Sequence, residues 1–384
     1  MTTQQCVLLV DDDRAITDAL ALALESPGRT IILCSDVESA EICLGHFPVT
    51  HLVSDVQFSG DFGFEGLHSL SRVRAIAPQC KIVLITGYAT DSLCKAARGL
   101  GAAEVLSKPF AMAELEHVLG APPPVPANEE GKIIRFPAIE EILLGNALRS
   151  VFQPILRPDG ALFGFEALTR AQGNWLTGGP AMLFDYAEKR SRLADLNVRT
   201  LTSSILASTE LPGEPAIFVN VDPLTFSARQ LVPSLKAAAA AVSLPLSRLV
   251  LEVTERSAFA NDHDAQSVFD ELRADGARFA LDDHGSAYSH LSVISSIRPS
   301  FIKVSQTFGT DFEQDPTKVR IVRHVLALAR DFGCETILEG IETATTARAA
   351  ADMGVDLLQG YHFGYPTPAR HWAAQASQAA LCVA

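Results

Sequence analysis

The sequence predicts an α/β protein in two parts, a doubly wound five-stranded parallel sheet and then an eight-stranded (β/α)8 barrel. Three observations carry this. Short Val-, Ile- and Leu-rich runs alternate with helical patterns along the 384 residues. The stretch GAPPPVPANEEG interrupts that alternation once, at 120–131. The chain beyond it runs for about 250 residues, the usual size of an eight-stranded α/β barrel.

In the first part, VLLV (7–10), IILC (31–34), HLVS (51–54), KIVLI (81–85) and AEVLS (103–107) read as strands. Helical patterns lie between them. Over Ala15–Leu24, for example, Ile16, Ala19, Leu20, Ala23 and Leu24 fall on one face. Proline then stiffens the chain and removes backbone donors, which marks a linker. The expected boundaries are a first domain over 1–120, a linker over 121–135 and a second domain over 136–384, with a lead-in helix from Ile133 to Arg149. In the second domain the strand-like runs are FGFEALTR, AIFVNV, LVLEVTE, RFALDDHG, FIKVS, ETILEGIE and LLQGYHFG. Helices are expected over Pro180–Lys189, Arg192–Ser208, Ser227–Val242, Ala265–Asp275, Lys318–Phe332 and Thr343–Met353.

Hydrophobic residues make up 48% and charged residues 20%, a globular composition and not a disordered one. A net charge of −14 argues against binding DNA or RNA through phosphate contacts. The seven Cys form no C-x-x-C pair and read as buried free thiols in a reducing cytoplasm. No apolar run approaches the ~20 residues of a membrane span, and no signal-peptide pattern opens the chain. A cytoplasmic protein with no membrane contact is expected.

Polar residues close the apolar runs, where parallel α/β sheets and barrels put their chemistry. In the first domain Asp11, Asp12 and Asp55 would share a crevice with Thr86 and Lys108. Clustered carboxylates suit Mg²⁺, and Asp55 can act as a carboxylate nucleophile toward a phosphoryl group, with Thr86 and Lys108 holding the product. The competing reading of Asp-Asp-Asp is a solvated turn whose Asp caps a helix. Over residues 5–120 the pattern resembles the receiver domain of bacterial response regulators, a flavodoxin-like fold. The resemblance implies phosphorylation of Asp55, Mg²⁺ at Asp11, Asp12 and Asp55, Thr86 and Lys108 as switch residues, and a sensor histidine kinase as partner. Two features depart from that family. The loop VQFSGDFGFEG after Asp55 lacks the usual Met-Pro-Gly turn, and Val105 replaces the usual aromatic.

In the second domain Glu166, Asn220, Glu252, Asp282, Asp283, Lys303, Glu339 and Gln359 converge on one rim. So many carboxylates repel one another unless divalent cations hold them, which points to two-metal chemistry on a phosphate ester. Lys303 can then orient or deprotonate water, with its pKa pushed down by nearby metal ions. Arg170 offers a fork for a phosphate oxygen. Taken singly, each signal has a plain reading: a solvated Glu at a strand end, an Asn bonded to its own loop, a surface Lys on an edge strand.

From about Asn146 to Trp372 the chain resembles the EAL domain of cyclic di-GMP phosphodiesterases, which have a TIM-like barrel. The matching motifs are QPI (153–155), EALTR (166–170), NVDP (220–223), EVTE (252–255), DDHGSAYSHL (282–291), IKV (302–304), EGIET (339–343) and QGYHFGYP (359–366). The resemblance implies hydrolysis of cyclic di-GMP to linear pGpG with two Mg²⁺ or Mn²⁺, and a homodimer. By position, Glu166, Asn220, Glu252, Asp282 and Asp283 would be metal ligands, and Lys303, Glu339 and Gln359 catalytic residues. Gln153, Leu168 and Arg170 would contact the dinucleotide, and Glu255 would anchor the loop after Asp283. That loop departs from the family's DDFGTGYSSL at His284, Ser286, Ala287 and His290, and Ser305 replaces the Asp of its KID triplet. Three functions are open on these grounds: a receiver-regulated phosphodiesterase, a cyclic di-GMP receptor that no longer cleaves, and a docking scaffold.

Overall fold

The structure, a computed structural model, describes residues 4–56, 65–124, 131–173, 175, 179–222, 225, 230–254, 263–284 and 290–383. The chain divides into two units, Met1–Ala147 with Ala171–Arg192, and Leu148–Arg170 with Leu193–Ala384.

In the first unit, β1 (Gln5–Val10), α1 (Arg14–Leu24), β2 (Arg29–Cys34), α2 (Val37–His46), β3 (His51–Asp55) and α3 (Glu65–Ile76) succeed one another. Next come β4 (Lys81–Thr86), α4 (Asp91–Gly99), β5 (Glu104–Ser107), α5 (Met112–Leu119), β6 (Lys132–Arg135) and α6 (Ile139–Leu144). The strands pair in the order β5-β4-β3-β1-β2-β6, all parallel. The order reverses at β1, so the ends of β1 and β3 face one crevice. Every residue of the central β1 is buried, as a strand covered by helices on both faces must be.

The sheet has one strand more than expected. Lys132–Arg135, read as the end of the linker, pairs with β2 from Thr30 to Leu33. Ile133 and Ile134 supply the apolar content, and pairing satisfies backbone groups that an open β2 edge would expose. The expected lead-in helix from Ile133 to Arg149 therefore resolves into β6, the short α6 and the start of the next strand. Phe136, just beyond β6, is buried edge-on against Trp175 and Tyr186, with centroids at 5.7 and 5.1 Å. Tyr186 lies on α7 (Gly179–Lys189), which packs in this unit against α2 through Lys189–Glu41 at 2.7 Å and Arg190–Glu38 at 3.3 Å.

The second unit opens with β7 (Leu148–Leu156) and β8 (Leu162–Ala171), which runs on to the unit boundary. After α7 come α8 (Leu193–Ala207), β9 (Ala216–Val221), α9 (Leu231–Ala241), β10 (Leu249–Thr254), α10 (His263–Ala274), β11 (Arg278–His284) and α11 (His290–Ile297). The chain continues through β12 (Phe301–Val304), α12 (Gln306–Gly309), α13 (Pro316–Phe332), β13 (Glu335–Leu338), α14 (Ala344–Met353), β14 (Leu357–Gln359) and α15 (Ala369–Val383). Strands β7 to β14 close into an eight-stranded barrel.

One strand runs backwards. β7 pairs antiparallel with β14, and a tight turn from Arg157 to Ala161, with Gly160 at φ +87°, joins it to β8 without a helix. The Asp159-Gly160 pair is a turn signal between apolar runs that the expected strand–helix alternation passed over. The reversal matters for the rim. Ile155, Phe218, Val250, Ala280, Phe301, Ile337 and Leu357 form a layer inside the barrel. Strand side chains alternate with period two, so the next inward positions are Asn220, Glu252, Asp282, Lys303, Glu339 and Gln359. On the reversed β7 the equivalent residue precedes Ile155 and is Gln153.

Gly164 lies two residues before Glu166, and a Cβ there would sit 2.6 Å from the carbonyl oxygen of Ala216. Gly164→Ala is expected to destabilise the protein by about 1–3 kcal/mol through overpacking of β8 against β9, read as a lowered midpoint in urea unfolding.

Candidate functional site: a buried lysine ringed by carboxylates

Lys303 is almost wholly buried at the C-terminal end of β12. Its Nζ lies 2.8 Å from Glu339 Oε1, 2.9 Å from Glu252 Oε1, and 3.4 Å from both Glu166 Oε2 and Asp282 Oδ1. The plain readings of a surface Lys and of solvated strand-end Glu residues are thereby overturned, since Glu252 is fully buried and Glu166 nearly so. Asn220 Nδ2 donates to Glu166 Oε1 at 3.2 Å. Gln359 Nε2 donates to the other oxygen of Glu166 at 2.6 Å and to Gln153 Oε1 at 3.2 Å. Gln153 and Gln359, from the antiparallel pair β7 and β14, thus fix the orientation of Glu166.

Four carboxylates against one ammonium leave the cluster with excess negative charge in a site water hardly reaches. The titration behaviour reflects this. Burial pushes Glu252 well above the ordinary carboxylate range, and the charges of Glu166 and Asp282 add to it. Burial likewise raises Glu339 to about 7, with Lys303 pulling against it. Burial also works against an ionised Glu166, but the Lys303 ammonium and the bonds from Gln359 and Asn220 outweigh it and hold this carboxyl low. For Lys303 burial favours the neutral amine, yet the surrounding carboxylates prevail and its pKa stands well above the usual lysine value.

The donors suit a hard divalent cation. They are carboxylate and amide oxygens, and neither oxygen of the fully buried Glu252 has an aligned hydrogen-bond donor among the described residues. The present arrangement is centred on the ammonium, and no three acidic, thiol or imidazole groups among the described residues already frame a common metal site. The side chain of Asp283 and the whole of Glu255 lie outside the described residues, as do Ser286 and Ala287 and the side chains of His284 and His290. Leu168 and Arg170 lie further along β8, half-buried, with Arg170 Nη1 donating to the carbonyl of Thr169 at 2.9 Å. Ser305 precedes α12 and makes no capping bond.

Sequence reasoning missed Gly309 on α12, where a Cβ would collide with the carbonyl oxygen of Glu339. Gly309 ends α12 just before the turn at Thr310 and Asp311, so in the sequence it reads as an ordinary helix-ending glycine and its close approach to Glu339 leaves no separate signal.

In the first unit Asp11, Asp55 and Lys108 also meet. Lys108 Nζ lies 2.6 Å from Asp55 Oδ2 and 3.2 Å from Asp11 Oδ2. Burial raises the Asp11 pKa, while for Lys108 the two carboxylates outweigh burial and raise it. Thr86 is buried at the end of β4, and its hydroxyl accepts from the Tyr88 amide at 3.1 Å. Asp12 is exposed beside them. The helix-cap reading of Asp-Asp-Asp also holds, but for Asp13, whose carboxylate accepts from the Ala15 amide at 2.8 Å. Val105 is half-buried on β5, and residues 57–64 of the loop after Asp55 lie outside the described residues.

Five of the cysteines, Cys6, Cys34, Cys43, Cys80 and Cys334, are buried free thiols, and Cys94 is half-buried. No helix among the described residues is long and apolar enough to cross a membrane.

Comparison with known proteins adds to this geometry. Residues 138–366 match the EAL domain and residues 7–120 the response regulator receiver domain. The chain is 26% identical over 385 residues to the cyclic di-GMP phosphodiesterase RocR of Pseudomonas aeruginosa, covering 95% of this chain and 97% of that protein. Over 121 residues it is 35% identical to the cyclic di-GMP phosphodiesterase PdeL of Escherichia coli, covering 32% of this chain and 33% of that one. Among solved structures, the PaMucR phosphodiesterase in complex with c-di-GMP superposes with a TM-score of 0.52 at 29% identity, covering 59% of this chain and 99% of that chain. The manganese/cy-diGMP complex of Klebsiella pneumoniae BlrP1 gives a TM-score of 0.52 at 26% identity, covering 58% of this chain and 56% of that one.

The raised Glu339 carries a pH prediction for the metal-free protein. A folded-state pKa above the unfolded value of 4.5 means that the native state holds the proton longer. The stability that this one carboxyl contributes is then full below pH 4.5 and is lost as pH rises through about 7. With a chelator present, wild type is expected to lose about 1–3 kcal/mol more than Glu339→Gln between pH 5 and pH 8. Urea unfolding at both pH values measures the difference, and equal losses would show that the Glu339 carboxyl is not held protonated by burial.

Proposed function

The chain belongs to the EAL domain family and carries a response regulator receiver domain ahead of it, and on that premise we propose that it hydrolyses cyclic di-GMP to linear pGpG under control of receiver phosphorylation. The observation that carries the proposal is the ring of Glu166, Glu252, Asp282 and Glu339 around Lys303, whose surplus of buried negative charge calls for divalent cations. Support comes from the similarity to RocR over nearly the whole of both chains.

In this reading Glu166, Asn220, Glu252 and Asp282 hold the cations with Asp283, and two Mg²⁺ or Mn²⁺ supply the charge that polarises a phosphodiester and favours deprotonation of water. Gln359 and Gln153 keep Glu166 turned toward the centre. Lys303 Nζ, kept in place by Glu339 Oε1 2.8 Å away, would orient the attacking water and, after giving its own proton to solvent, would accept a proton from it as the neutral amine. Leu168, Arg170 and Gln153 contact the dinucleotide, with the Arg170 guanidinium directed at a phosphate oxygen. Glu255 would serve as the anchor of the loop after Asp283, the role the family resemblance implies.

In the receiver, Mg²⁺ at Asp11, Asp12 and Asp55 and phosphorylation of Asp55 by a sensor histidine kinase would displace Lys108 from its present pairing. Lys108 and Thr86 would then bind the phosphoryl oxygens. The functional boundaries remain 1–120 for the receiver, 121–135 for the connection and 136–384 for the phosphodiesterase domain, with β6 fastening the connection to the receiver sheet. A cytoplasmic homodimer without DNA or membrane partners completes the assignment.

Purified protein with cyclic di-GMP and Mg²⁺ or Mn²⁺ is expected to yield pGpG, and Glu252→Gln to lower kcat at least about 100-fold by removing a cation ligand. Chromatography of the nucleotides reads both. Treatment with acetyl phosphate is expected to change the rate of wild type and not of Asp55→Ala; an unchanged wild-type rate would sink the regulatory part. The departures in DDHGSAYSHL and at Ser305 favour a second reading, a receptor that binds without cleaving. Saturable cyclic di-GMP binding with no pGpG would establish it.

A further inference from the structure

Tyr361 and Tyr365 lie on the segment after β14, just beyond Gln359. Their rings stack at 4.5 Å between centroids and 27° between planes, yet they remain 52% and 63% exposed. Among the described residues of this unit, the other large exposed hydrophobics, Leu162, Leu206 and Phe332, lie at the start of β8 or on helices. A stacked aromatic pair left more than half exposed offers a flat apolar face that a planar ligand can cover.

The segment is fixed in place. The amide of Phe152 donates to the Thr367 carbonyl at 2.7 Å, and the Thr367 amide returns the bond at 3.1 Å. The amide of His362 donates to the Ile341 carbonyl at 3.0 Å. Gly364 (φ +156°) packs so closely against Trp372 that a Cβ would collide with the indole. The carbonyl of Gly364, next to Tyr365, accepts from Gln153 Nε2 at 3.3 Å. Gln153 is the residue that also accepts from Gln359, whose amide holds Glu166. The tyrosine pair is therefore joined to the carboxylate cluster through a short chain of hydrogen bonds.

We propose that the Tyr361–Tyr365 stack is a platform for a guanine base of the substrate, the base extending the stack on the open face of Tyr365. The inference rests on the cyclic dinucleotide reading and deepens it. A cyclic dinucleotide carries a purine on each side of its phosphodiesters, so a phosphate placed at the acidic cluster projects its bases sideways along the rim. A flat ring there recognises the base through its π-face and excludes water from it, and a rigid segment loses little freedom on binding. Tyr365 is thus a positioning residue acting on the base and not on the scissile bond.

Steady-state hydrolysis of cyclic di-GMP by the full chain tests this with Tyr365→Phe and Tyr365→Leu. Loss of the ring in Tyr365→Leu is expected to raise KM about 5- to 150-fold, the range of one lost base stack, with kcat within about twofold. Tyr365→Phe, which keeps the ring, is expected to match wild type. An unchanged KM in Tyr365→Leu overturns the proposal, as does an equal loss in both variants with a lowered unfolding midpoint, which marks a structural role. Wild type that fails to cleave at all would refute the phosphodiesterase reading separately. Equilibrium dialysis of cyclic di-GMP then decides the platform: weaker binding by Tyr365→Leu supports it, and equal binding or none overturns it.

Discussion

The barrel is organised by the burial of one ammonium among four carboxylates. Lys303 lies within 3.4 Å of Glu166, Glu252, Asp282 and Glu339, and each of these comes from a different strand or strand end. Such a cluster has no apolar rationale, because desolvating these charges costs more than their mutual attraction returns. Its surplus negative charge is costly to bury, and the proposed cations would offset that cost. The same constraint explains the amide pair Gln153 and Gln359. A carboxylate facing three others needs neutral donors on its far side, and Gln359 with Asn220 supplies them to Glu166.

The receiver repeats the device on a smaller scale. Lys108 sits between Asp11 and Asp55 as Lys303 sits among its partners, so in each unit a lysine occupies the ground between carboxylates proposed to hold cations. In both places the lysine neutralises part of the cluster, and in both the proposed cations would free it for other work. The proposed roles, a proton acceptor at Lys303 and a phosphoryl-oxygen partner at Lys108, are two uses of the same release.

Much of this was legible in the sequence because strand periodicity is strict. Once the apolar runs are strands, residues two beyond Phe218, Val250, Ala280, Phe301, Ile337 and Leu357 face inward at the next layer, and these are the polar residues singled out. The burial of Lys303 was not legible, since FIKVS reads equally as an edge strand. Nor was the reversal of β7, where the Asp159-Gly160 turn replaces a helix and turns Gln153 inward from the other side of its strand. β6 hid behind proline-rich sequence; only the open edge of β2 and the contacts of Phe136 give Lys132–Arg135 its reason to pair. Gly309 and the Tyr361–Tyr365 stack depend on close approaches that the folded chain alone creates, and local pattern holds no record of those.

The central claim is that the ring around Lys303 exists to take divalent cations. Calorimetric titration of chelator-treated protein with Mn²⁺ tests it most directly, with Asp11→Ala in the background to remove the receiver's contribution. Saturable binding of two ions per barrel is predicted, with proton release as Glu252 and Glu339 ionise, and loss of at least one ion in Glu252→Gln. Absence of saturable binding, or an isotherm unchanged by Glu252→Gln, would contradict it.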